Sequence, residues 1–342
     1  VSDGTDTPVA VSLGGSAGAL ADVLGAYDSA DKRNFVAWAD QTSNALYAAT
    51  CSAGSWSAGH IPLGTGGSAG AIGDVSVVSA GSGVVVAAWV DSVSGAPYAS
   101  VYSSGAWAAS PSAIPLGASS GARGEVTLAY DNSANVYAAW VDGDGATRTP
   151  YVSSYNGTTW STAAALPTGA STGAKENVYL AADASANIYA TWTDASAAQP
   201  YFSIYNASGA SWSTADTIPL GSSLGPSSDV TLTADRSSNI YAAWVDAAAG
   251  QPTVSIYSQG AWSAAPSAIP LATATTTSAG ADVNVFIAYD DPAGQVWAAW
   301  ADFTSLQPYF SSYNVSTQVW TTTAVPLGTS SGANGTVFIS PE

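Results

Sequence analysis

Tryptophan recurs in this chain in two fixed phases. One series falls at Trp38, Trp89, Trp140, Trp192, Trp244 and Trp300, with successive spacings of 51, 51, 52, 52 and 56 residues. A second falls at Trp56, Trp107, Trp160, Trp212, Trp262 and Trp320. Twelve of the 13 tryptophans therefore belong to one repeat of about fifty residues, so the chain reads as six copies of a single supersecondary unit. The first series sits in the pentapeptide Ala-Ala-Trp-Val-Asp or a near copy. That pentapeptide closes each time on a carboxylate: Asp40, Asp91, Asp142, Asp194, Asp246 and Asp302.

The third copy shows the unit. Four extended segments rich in β-branched and aromatic residues are separated by Asn, Asp, Gly, Ser and Pro. They are A (Glu125 to Tyr130), B (Asn135 to Asp142), C (Pro150 to Tyr155) and D (Trp160 to Thr168). The link from Asp131 to Asn135 has the composition of a tight Asx turn. No segment carries a helical period. Four antiparallel strands in fifty residues predict a propeller blade, and six of them an all-β, six-bladed β-propeller in one domain, 1–342. The expected blades are 22–64, 74–117, 125–169, 177–221, 229–272 and 284–328. Alternation in strand B puts Trp140 on one face with Val136 and Ala138, which predicts that the first tryptophan series packs one blade on the next.

The count leaves strands over. Val11-Ser12-Leu13-Gly14 copies the Ile-Pro-Leu-Gly that ends several D strands, and the segment 336–340 copies 284–288. A surplus D-type strand at 9–14 and a surplus A-type strand at 335–340 are therefore expected. Unpaired edges of that kind can join subunits head to tail into filaments, tubules or a surface layer.

The charge balance narrows the partners. With 24 acidic and 6 basic side chains the net charge is −18, which disfavours nucleic acid and favours cations or basic surfaces. Nothing approaches 18 consecutive apolar residues, so no membrane span is expected. Cys51 is the single cysteine, which excludes an intramolecular disulfide and a cysteine-built metal site. The Val-Ser-Asp-Gly start and the lack of methionine suggest a processed or excised chain, read here as exported and extracellular.

The segments "NVYAAWVD", "PYFSIYN" and "ASWSTADTIPLG" resemble blades of bacterial sialidase-like propellers, also called BNR-repeat or Asp-box-like proteins. The resemblance covers nearly the whole chain and implies the fold. Its Asp box is reduced to Gly157, Thr159 and Trp160 in "YNGTTW". Sialidases hold a substrate carboxylate with an arginine triad, whereas Arg33, Arg123, Arg148 and Arg236 are scattered at non-equivalent positions. Six-bladed fucose-binding lectins place an Arg and a Glu in each pocket between blades, and that repeating Arg is missing as well. His60 has no catalytic or zinc partner in sequence.

At the start of the A strands stand Asp22, Asp74, Glu125, Asn177, Asp229 and Asn284. Antiparallel pairing in a symmetric hairpin would set Asp22 opposite Asp40, bringing two like charges together. Ca²⁺ held by Asp22, Asp40, Asp74, Asp91, Glu125, Asp142, Asp194, Asp229, Asp246 and Asp302 would relieve that repulsion. Turn capping by each terminal Asp is the simpler account. No other cofactor is required by any motif. Asn156, Asn206, Asn314 and Asn334 begin glycosylation sequons.

Near-identical blades favour a non-catalytic structural subunit that self-associates through its terminal strands. The alternative is a glycan-binding module in which Trp56, Trp107, Trp160, Trp212, Trp262 and Trp320 stack on sugar faces. A glycosidase working through paired carboxylates is the third reading.

Overall fold

The computed structural model describes residues 11, 13–64, 67–133, 135–142, 148–271, 278–321 and 337. They form six antiparallel sheets, the blades of a six-bladed β-propeller, each built from strands A, B, C and D in that order. The A strands are Leu24–Asp28, Ser76–Ser79, Ala122–Tyr130, Tyr179–Ala182, Thr231–Ala234 and Ala281–Asp290. The B strands are Arg33–Ala39, Val85–Val90, Val136–Asp142, Ile188–Thr193, Ile240–Val245 and Gln295–Asp302. The C strands are Leu46–Ser52, Pro97–Ser103, Pro150–Tyr155, Pro200–Asn206, Pro252–Ser258 and Pro308–Asn314. Proline opens five of the C strands, the strand position where a missing N–H is tolerated. The chain divides into two compact units, Ala10–Thr168 with Thr172–Leu180, and Gly169–Ser171 with Ala181–Glu342. No helix among the described residues is long and apolar enough to cross a membrane.

Strand D is where the blades depart from the expected pattern. Among the described residues it is continuous only in blade 1, at Ser55–His60. In blades 2, 4 and 5 it is split, as in Ser211–Trp212 followed by Asp216–Thr217. Pro111 and Pro266 stand between the two pieces in blades 2 and 5, where no N–H is available for the ladder. In blade 3 Ala163, in the corresponding stretch, turns its N–H to Pro115 O of blade 2, so the break ties blades together.

Face-to-face packing follows the alternation of strand B. Trp89 packs with Ala87 against Ala37, Ala39 and Ala48 of blade 1. Trp140 packs with Val136 and Ala138 against Val86, Ala88 and Val90 of blade 2. A large ring on one blade thus meets small side chains on the next, and all six of these tryptophans are at most 1 % exposed. Five stack on the tyrosine directly across on strand C, as Trp140 does on Tyr151 with ring centroids 6.3 Å apart and planes 14° apart. Blade 5 has Thr253 in that place.

The Ile-Pro-Leu-Gly turns of blades 1 to 4 and their variants pin each of these blades to its successor. Gly169 has φ +61°, and a Cβ there would lie 2.6 Å from Ala215 O, so both conformation and space require glycine. Gly14 makes the same approach to Ala58 of blade 1. The described part of segment 9–14 (Val11, Leu13 and Gly14) runs as loop and turn, with Ser16 N bonded to Leu13 O, and not as the expected strand. The A-type strand expected at 335–340 lies outside the described residues apart from Val337.

One pairing differs from the symmetric hairpin. Leu24 faces Ala37, but Asp40 is bridged by Ala19, so five steps along strand A span three along strand B. The resulting bulge carries Asp22 away from Asp40. Blades 3 and 6 shift register at the same place, between Arg123 and Thr127 and between Ala281 and Val285.

Candidate functional site

The repeated carboxylates at the ends of the B strands are built into the frame. Asp40 Oδ1 accepts the N–H groups of Thr42 and Ser43 at 3.0 and 2.9 Å, capping the B to C turn. Its Oδ2 accepts Ser16 Oγ at 2.7 Å and Ala17 N at 2.6 Å from the linker that enters the blade. Ser16 Oγ in turn accepts the indole N–H of Trp38 at 3.0 Å. The same relay of indole, hydroxyl and carboxylate runs through Ser68, Ser119, Ser171, Ser223 and Ser278. These serines stand 21 or 22 residues before each tryptophan, a spacing present in the sequence but not singled out there.

Electrostatics agree with that saturation. Hydrogen bonds led by Thr42 and Ser16 hold the Asp40 carboxyl well below the usual carboxylate range. Burial would raise Asp91 and Asp302, but the bonds from Ser94 and Ser68, and from Ser305 and Ser278, outweigh it and bring both down to about 2.

The A-strand series forms a second set of links. Asp22 N donates to Asp74 Oδ1 at 2.6 Å, Glu125 N to Asn177 Oδ1 at 3.0 Å, and Asp229 N to Asn284 Oδ1 at 3.4 Å. Each side chain therefore stitches its blade to the preceding one. Burial, with the Asp22 charge adding to it, raises the Asp74 carboxyl although a side-chain bond with Glu125 opposes this. Among the described residues no three His, Cys, Asp or Glu side chains converge in a way that could hold a metal ion. Of the ten acids considered for Ca²⁺, the structure thus brings Asp22, Asp74 and Glu125 into sequence across blades. It holds Asp40, Asp91, Asp194, Asp246 and Asp302 in separate turns, Asp142 on the linker residues Ser119 and Ser120, and Asp229 beside Asn284.

At the other end of the strands the A to B turns hold further buried acids, which repeat the Asx turn expected from Asp131 to Asn135. Asp183 Oδ1 caps Ser185 and Asn187, and its Oδ2 accepts Asn187 Nδ2 at 2.9 Å and Tyr189 OH at 3.4 Å. Asp235 repeats this with Asn239 and Tyr241. Each acid raises the pKa of its tyrosine, behind the larger effect of burial.

This end also carries the clefts between blades. Between blades 5 and 6 lies a cleft of about 350 Å³ lined by Trp262, Tyr313, Asn239, Gln318, Ser258 and Ser263 among others. A hollow of about 610 Å³ shares Asn239 and Val315 with it and adds Ser237, Asn314, Ser316 and Asp291. Asp291 is ion-paired with Arg236. Between blades 2 and 3 the corresponding cavity measures about 620 Å³ and is lined chiefly by apolar and aromatic side chains, among them Val86, Trp107 and Tyr155.

All six tryptophans of the second series are half-buried. Trp107, Trp160, Trp212, Trp262 and Trp320 pack against the strand C tyrosine of their own blade with centroids 5.2 to 5.5 Å apart, and Trp56 pairs across from Cys51. Of these, Trp107 and Trp262 also edge a cleft. Asn156 and Asn206 are exposed and Asn314 half-buried, each capping its C to D turn through Oδ1, and Asn334 lies outside the described residues.

Comparison with solved structures agrees with the architecture. The chain is similar to the fungal Aleuria aurantia lectin, a six-bladed β-propeller described with a fucose recognition mode. The TM-score is 0.57 at 13% identity, with 91% of this chain and 96% of the lectin covered. A triple arginine-to-alanine variant of AofleA from Arthrobotrys oligospora gives a TM-score of 0.55 at 12% identity, covering 90% and 87%. A Hadza microbial sialidase is also similar, with a TM-score of 0.45 at 12% identity over 83% and 66%. These likenesses concern the fold. No protein-family model matches the sequence, and no curated protein sequence matches it.

Proposed function

We propose that this protein is a non-catalytic glycan-binding propeller whose sugar site is the cleft between blades 5 and 6. One observation carries the reading. That cleft sets two aromatic rings, Trp262 and Tyr313, beside neutral amides and hydroxyls of Asn239, Gln318, Ser258 and Ser263. An aromatic wall takes the C–H face of a pyranose, while amides and hydroxyls exchange hydrogen bonds with its hydroxyl groups. The Arg236 and Asp291 pair beside the hollow adds charged partners for further hydroxyls. The shared architecture with a fucose-recognising lectin supports the same reading.

Absence of catalysis and an extracellular site of action belong to this proposal. The B-strand carboxylates that a glycosidase would need are engaged by turn and linker donors, which supports binding over hydrolysis. Assembly through spare terminal strands would depend on 9–14 and 335–340, most of which lie outside the described residues.

A glycan array followed by titration of the best ligand tests the proposal. Gln318→Ala and Trp262→Ala, each at an unchanged melting temperature, are expected to weaken binding at least tenfold. Failure of every glycan to bind, or indifference to both substitutions, overturns it.

A further inference from the structure

The cavity between blades 2 and 3 exists because blade 2 breaks the repeat at four positions that all line it. Counting from the buried tryptophan, blade 5 carries Asp235, Asn239, Tyr241 and Ser263 where blade 2 carries Ala80, Val84, Val86 and Ala108. Each of the other blades keeps a polar or aromatic residue at the first three places, and a serine or threonine directly after its second-series tryptophan, where blade 2 has Ala108. The equivalent cleft between blades 5 and 6 is about 350 Å³, against about 620 Å³ here.

The missing volume has a defined shape. In blades 1, 4 and 5 the aromatic ring on strand B packs edge-on against the strand C tyrosine of the next blade. Phe35 meets Tyr102 at 5.1 Å and 65°, Tyr189 meets Tyr257 at 5.8 Å and 61°, and Tyr241 meets Tyr313 at 5.8 Å and 62°. The next member of that series is Tyr155, and opposite it stands Val86, which has no ring to offer. Tyr130, Tyr155 and Trp107 remain as walls around the place where a phenol ring would sit.

We infer that this cavity binds a small, uncharged, aryl-bearing molecule, whose ring takes the edge-to-face place filled by a side chain in blades 1, 4 and 5. Its size lies in the range of small-molecule sites, and apolar cavities accept benzene-like ligands. No charged side chain among the described residues lines it, and the chain's net charge of −18 disfavours anions. The inference is independent of the glycan reading, which rests on the cleft between blades 5 and 6.

The test uses para-cresol, the tyrosine side chain as a free molecule, followed by ligand-observed saturation-transfer NMR and by melting temperature. Saturable binding that raises the melting temperature is expected in the unaltered protein. Val86→Tyr supplies the ring internally and should weaken binding more than tenfold. Ala108→Ser restores one wall hydroxyl with little added volume and should weaken it severalfold, which keeps the test open where Val86→Tyr fails to fold. No saturable binding, or binding untouched by both substitutions, overturns the inference. Glycan affinity measured on the same variants separates the two sites, since it should not change.

Discussion

Trp192 and Asp194 share a single hydroxyl. Ser171 Oγ accepts the indole N–H at 3.0 Å and donates to Asp194 Oδ2 at 2.9 Å, with all three side chains buried. Ser171→Ala would strip a buried donor and a buried carboxylate oxygen of this partner at once. A loss of about 1–3 kcal/mol is expected, from the cost of leaving buried polar groups unsatisfied. A lowered midpoint in denaturant unfolding checks it, and an unchanged midpoint would show the relay to be idle.

Acid should loosen the same joints. Asp91 and Asp302 have folded-state pKa values lowered to about 2 from a reference of 3.8. A lowered carboxyl stabilises the fold fully above the reference value, and that contribution fades as the pH falls toward the folded value. Melting temperature should therefore hold above pH 4 and drop between pH 4 and 2. Asp91→Asn should melt lower than the unaltered protein at neutral pH, with the difference shrinking through that window.

Asp74 has the opposite sign. Its carboxyl is raised, by burial first and by Asp22 next, so ionisation above the reference value costs stability. Asn177 and Asn284 show that an amide fits at the equivalent position, because their Oδ1 atoms accept the same blade-to-blade N–H bond. Asp74→Asn should accordingly raise the melting temperature at pH 7, and the gain should vanish below about pH 4, where both states are protonated. A pH series on the two proteins decides it.

The repeat, the blade count and the packing role of the first tryptophan series were legible because each repeats six times with a fixed phase. The cap made by the terminal Asp was legible as turn chemistry. Its bond to the linker serine was not, although Ser68 and Trp89 are as regularly spaced as the tryptophans themselves. The bulge after Ala19 escaped because pattern alone assigns a register without extra residues. The clefts escaped for another reason. They depend on differences between blades, such as Val86 in place of Tyr241, and a reading built on the likeness of blades averages those differences away.

One such difference leaves a buried carboxyl oxygen without a hydrogen-bond partner. Asp28 is fully buried, its Oδ1 accepts Ala30 N at 3.2 Å, and its Oδ2 has no hydrogen-bond partner. In blades 4 and 5 that oxygen is met by Tyr189 and Tyr241, and in blade 6 by Trp297 Nε1 at 3.3 Å. Blade 1 has Phe35 at the corresponding place, a ring without a donor. Phe35→Tyr adds one hydroxyl where the repeat already shows how it is accommodated, and it keeps the edge-on contact with Tyr102. Hydrogen bonds to charged groups contribute about 1.5–3 kcal/mol, so a rise of roughly 1–2 kcal/mol in unfolding free energy is expected after the cost of burying the hydroxyl. Asp28→Asn in the Phe35→Tyr background should remove most of that gain. A Phe35→Tyr protein less stable than the parent would mean that blade 1 has closed around its phenylalanine and that Asp28 is satisfied in some other way.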